Sequence, residues 1–170
     1  MERLTPQTPR LVGHPFVGHA EAEEVGAFIG RQEADGGADQ AEDLLSAMEA
    51  VRGLEWRGDL RVAILITDAP AHGWSGYTGP YGSDDYPDGL CPDQHTPLPE
   101  VMRGIADDCG VDLLVCKLDP STDYMERMFA RQYPDGRGFG VIPMRAGAER
   151  FRDCILGVLS KALLGLIAPD

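Results

Sequence analysis

With 170 residues, 43% hydrophobic and 25% charged, the chain has the size and composition of one folded globular domain, not of a disordered segment or of two domains. Its 28 acids against 15 Lys and Arg give a formal net charge of -13, which repels phosphate backbones and anionic lipid and excludes nucleic acid and membrane surfaces as expected partners. The opening MERLTPQTPR has no signal-peptide character and no apolar run reaches bilayer length, so the sequence reads as cytoplasmic.

In chain order, residues 1–19 form an irregular start in which LVGHPFV (11–17) reads as a weak edge strand, interrupted by Gly13 and Pro15. AEAEEVGAFIGRQEA follows as a short amphipathic helix, with Val25, Phe28 and Ile29 on one face behind an acidic first turn. In GGADQAEDLLSAMEAVRG, Asp39 stands three residues before Glu42 in a capping-box-like pattern, and Leu44, Leu45, Met48 and Val51 make the apolar stripe of a helix ending near Gly53. Residues 61–67 (RVAILIT) have the apolar, β-branched bias of a strand buried on both faces.

After a long loop rich in Gly, Pro, Asp and Tyr, Thr96 and Pro97 open a helix running to about Cys109, with Leu98, Val101, Met102 and Ile105 at helical spacing. VDLLVCKLD (111–119) is a second buried strand; Ser121 or Thr122 caps a helix bearing Met125, Met128 and Phe129; FGVIPM (139–144) is a third strand. Phe151, Ile155, Val158, Leu159 and Leu163 line a closing helix. This alternation predicts an α/β fold with a doubly wound, mostly parallel sheet flanked by helices, Rossmann-like in layout, over residues 20–168. Cys91, Cys109, Cys116 and Cys154 have no CxxC spacing and read as free thiols.

The segments DGGADQAEDLLSAMEAV, LEWRGDLRVAILITDAPAHG, DDYPDG and STDYMERMF, in that order, resemble the von Willebrand factor A domains, in particular the branch attached to alpha-type protein kinases. The resemblance implies a doubly wound α/β domain holding a divalent cation, usually magnesium, at the top of its sheet, with one coordination position open for a partner's carboxylate. It places Asp68, in ITDAP, at the family's metal-ligating Asp after a strand, and Asp39 in the second metal loop, where many relatives carry Thr. The family's DxSxS segment is absent from this sequence, which begins roughly where the family's second or third strand stands; a truncated or remodelled domain, completed by an oligomer or a second chain, is the resulting expectation.

The residues alone leave each candidate open. Asp68 ends a strand, where parallel sheets bind ligands, or it caps a turn. Asp39 is a metal ligand or, preferred on the pattern, a helix cap. Trp74, Tyr77, Tyr81 and Tyr86, with Asp84 and Asp85, crowd the loop above the sheet either as anchors for a protein partner or as packing over missing strands; exposure separates the two. Ser83, Asp84, Asp85 and Asp88 offer further oxygens but also read as polar turns.

His72, Cys91 and His95 with Asp68 could hold zinc in a small hydrolase with His72 as base, although the spacing fits no zinc motif. GWSGY lacks the final Gly of a nucleophile elbow, GRGFG precedes a strand instead of following one, and no kinase motif occurs. The expectation is therefore a protein-binding module, not an enzyme, with magnesium as a possible ion; a metal-dependent hydrolase or a non-functional remnant of a longer protein is the alternative.

Overall fold

The computed structural model describes residues 11–33, 39–74, 84–133, 138–144 and 156. The chain divides into two compact units, Met1–Ala38 and Asp39–Asp170.

In the first unit, residues 11–17 are not a strand. Pro15 brings no N–H donor to a ladder and Gly13 has the most backbone freedom to lose, and Leu11, Val12 and Phe16 are all exposed. A single 3-10 turn, His19–Glu21, leads into α1 (Ala22–Ile29), the expected amphipathic helix, yet none of its residues is buried. Its aromatic contact is local, the Phe28 ring lying 5.3 Å from that of His14. The division between the compact units falls after Ala38, and no α1 residue is buried.

The second unit begins with the segment leading into α2 (Leu44–Arg52). Asp43 is the N-cap: its carboxylate accepts the Ser46 N–H at 3.1 Å and the Ser46 hydroxyl at 2.7 Å. Asp39 is therefore not the cap that the Asp39/Glu42 spacing suggests. Glu42 is held outside the helix by a parallel bridge to Ala71, with Glu42 N–H donating to Pro70 O at 2.9 Å and His72 N–H to Glu42 O at 3.1 Å.

Strands β1 (Val62–Thr67), β2 (Asp112–Lys117) and β3 (Phe139–Pro143) form a parallel sheet in the order β1-β2-β3, with Leu65 opposite Val115 and Val115 opposite Val141. Between β1 and β2 run α3 (Leu98–Arg103) and a π-helical turn, Gly104–Asp108; between β2 and β3 run a 3-10 turn, Pro120–Thr122, and α4 (Asp123–Ala130). The result is an α/β arrangement, a parallel sheet flanked by helices. Among the described residues, no helix is long and apolar enough to cross a membrane.

One core cluster joins α2, α3 and α4 to Leu113 and Val115 of β2, with Ala63 and Leu65 of β1 packed against it. Met102, Ile105, Leu113, Met125 and Phe129 lie wholly out of water. On the other face of β1, Ile64 and Ile66 are 37% and 51% exposed, so this strand is not buried on both sides; it has a described neighbour, β2, along one edge. Cys91 and Cys116 are buried free thiols and Cys109 a half-buried one. Of the expected closing helix, Leu156 alone is described; it is helical and exposed.

Candidate metal centre

Beyond the carboxyl end of β1 the chain turns at once. The Thr67 hydroxyl takes the Ala69 N–H and lies 2.8 Å from the Ala69 carbonyl, and Ser121, after β2, donates its hydroxyl to Asp68 O at 3.0 Å. The bridge between Glu42 and Ala71 then carries His72 to the segment that holds Asp39. Gly73, at φ 74°, allows the chain to pass against Gly89, where the loop returns with Asp84 to Tyr86. Gln94 fastens the loop's far end, donating to Asp43 Oδ1 at 2.7 Å while its carbonyl accepts the Cys91 N–H.

Three side chains converge there. His72 Nδ1 is 2.8 Å from Asp84 Oδ1 and 3.7 Å from Asp39 Oδ2, and the side chains of His72, Asp39 and Asp84 are 9%, 10% and 7% exposed. Backbone donors fix both acids: Gly73 N–H to Asp84 Oδ2 at 2.8 Å, Tyr86 N–H to Asp84 Oδ1 at 3.1 Å, and Asp85 N–H to Asp39 Oδ2 at 2.7 Å. The Tyr86 ring meets the imidazole edge-on, 5.0 Å between centroids. One ligand atom from each of Asp39, His72 and Asp84 lies within 4.8 Å of the others, an arrangement able to hold a metal ion.

Burial pushes the Asp84 carboxyl up, but hydrogen bonds with His72, Gly73 and Tyr86 and the His72 charge outweigh burial and hold it below its ordinary value of 3.8. A depressed folded value means that Asp84 contributes stability in full above the ordinary carboxylate value and loses it as pH falls through the lower, folded one. Asp84→Asn is expected to flatten the fall in urea stability below about pH 4, followed by circular dichroism from pH 6 to pH 3. An unchanged acid slope would remove Asp84 from the charged partners that hold this loop.

The sequence-derived candidates are distributed unevenly. Asp39 is in the cluster. Asp68 is exposed, is not one of the three clustered residues, and joins the site region through its backbone carbonyl. Trp74 is half-buried and packs its ring against the core, 5.3 Å from that of Phe129. Asp85 is exposed and Tyr86 half-buried on His72, while Tyr77, Tyr81 and Ser83 lie outside the described residues. Cys91 and His95 do not join His72 in the cluster. The set Asp39, His72 and Asp84 was not legible as a set, because it spans three separate segments with no motif spacing; each was a candidate by itself, and none was placed with the other two.

Fold and site together define an α/β domain with a histidine–carboxylate cluster beyond the carboxyl end of a parallel sheet. The curated alpha-protein kinase vwkA of Dictyostelium discoideum is 38% identical over 63 residues, which cover 36% of this chain and 10% of that protein. The chain thus spans about a tenth of the relative it matches. No family model matches the chain, and no solved structure matches it.

Proposed function

We propose that the chain is a protein-interaction module of the von Willebrand factor A type, not an enzyme, that recognises a partner's carboxylate through a divalent cation held above the sheet. The observation that carries this reading is the convergence of Asp39, His72 and Asp84 on loops beyond the strand ends, where open α/β sheets bind their ligands. Magnesium is the ion that the resemblance implies. It takes one or two protein carboxylates and keeps its waters, and Asp39 and Asp84 would be those two; Asp68 is exposed and not one of the clustered residues.

A bound cation reverses the local field, so an acidic partner is attracted despite the net charge of -13. Exposed Asp85 and the Tyr86 ring beside the cluster would border that contact; Tyr77 and Tyr81 stay candidates on sequence alone, and Trp74, engaged with the core, is the weakest anchor. Similarity to a segment of an alpha-protein kinase agrees with a module that serves a larger protein. Cytoplasmic placement belongs to the same proposal.

The test is panning of a phage-displayed peptide library on the immobilised chain in magnesium, manganese or zinc, with elution by chelator. Enrichment of Asp- or Glu-bearing peptides whose binding is lost with Asp84→Asn supports the module. Failure to enrich in every ion, or peptides indifferent to chelator, would overturn it.

A further inference from the structure

We infer that Asp39, His72 and Asp84 form a mononuclear site selective for a borderline transition-metal ion of the zinc class over magnesium, an inference that rests on reading this cluster as a cation site. The donor set is the first argument. An imidazole nitrogen between two carboxylates suits zinc, which binds His nitrogen and Asp oxygen at about 2.0–2.2 Å, whereas magnesium prefers an all-oxygen octahedron.

Geometry is the second. Bonds of that length at tetrahedral angles set donor atoms about 3.3 Å apart. The observed separations from His72 Nδ1, 2.8 Å to Asp84 and 3.7 Å to Asp39, fall on either side of that spacing. These two separations need to adjust by only about half an ångström for an ion to replace the His72–Asp84 hydrogen bond, and the Asp39 and Asp84 donor atoms lie within 4.8 Å of each other.

Support completes the case. The N–H groups of Gly73, Asp85 and Tyr86 already aim both carboxylates, which is the role of outer-shell donors around a metal. Three protein ligands leave a fourth position open, as at zinc sites that bind an exchangeable ligand.

Calorimetric titration of the full chain with zinc, and separately with magnesium, tests the assignment, with cobalt(II) as a spectroscopic substitute. Expected are one zinc per chain, at least about 100-fold weaker binding of magnesium, and a visible cobalt band characteristic of low coordination. His72→Gln should weaken zinc at least about 100-fold and abolish the cobalt band, while Cys91→Ala should leave both intact. If His72→Gln fails to fold, Asp39→Asn, whose amide oxygen still accepts from Asp85 N–H, reads the same loss. Magnesium binding equal to zinc, zinc binding indifferent to these substitutions, or no metal bound at all would each overturn the inference. Zinc binding at His72 beside a failed peptide selection would leave this site standing and remove only the interaction module.

Discussion

Gly73→Ala is expected to cost about 2–5 kcal/mol, the sum of a left-handed backbone penalty of about 1–2 and a forced overlap of similar or larger size. Gly73 sits at φ 74°, and a Cβ there would stand 2.7 Å from Gly89 N and 2.8 Å from Gly89 Cα. Both are backbone atoms, so no side-chain rotation relieves the contact. Gly58 separates the two causes: its φ is 86°, but an added Cβ meets nothing within 4 Å, so Gly58→Ala should show the conformational penalty alone, about 1–2 kcal/mol. Urea denaturation of both variants measures the difference. Because Gly73 N–H holds Asp84 Oδ2, Gly73→Ala should also weaken zinc binding, and Gly58→Ala should not. Equal losses in the two variants would mean that the chain parts from Gly89 at no cost, and that the close approach does not hold the site loop.

The pairing of residues 73 and 89 shows why elements were readable from sequence and the site was not. Hydrophobic period finds elements whose neighbours are local. The stripe of Leu44, Leu45 and Met48 is buried as expected, and the strands read at 61–67, 111–119 and 139–144 lie at Val62–Thr67, Asp112–Lys117 and Phe139–Pro143. Strand order is not written in hydropathy, so the exposure of Ile64 and Ile66 on β1 was hidden. The Asp39/Glu42 spacing misled for a tertiary reason. Glu42 is tied to Ala71 across the sheet top, which keeps it out of the helix, leaves the cap to Asp43 and frees Asp39 to accept from Asp85, 46 residues away. His72 was visible as a donor, but its natural sequence companions, Cys91 and His95, are not its spatial ones. Asp84, which reads as one of several polar turn residues, has its carboxylate tied to His72 and to the N–H groups of Gly73 and Tyr86 at the centre of the site.

Phe129→Ala is expected to cost about 3–5 kcal/mol, the usual range for removing a buried aromatic ring and leaving a cavity. Phe129 is wholly out of water in the cluster that joins α2, α3 and α4 to the sheet. Its effect should reach the site, because α4 grips the loop on both sides of His72: Ala71 N–H donates to Met125 Sδ at 3.2 Å, and the Trp74 ring lies 5.3 Å from Phe129. In a Trp56→Phe background, where Trp74 is the remaining indole, Phe129→Ala should shift Trp74 emission to the red in the folded state and weaken zinc binding along with stability. Phe129→Leu, which refills most of the space, should recover the larger part of both. Unchanged Trp74 emission would show that this ring does not depend on the core and would restore it as a free anchor for a partner. A shift that follows stability across the two variants makes α4 the support on which the metal loop rests, and makes the packing of Phe129 a condition for the site and not merely for the fold.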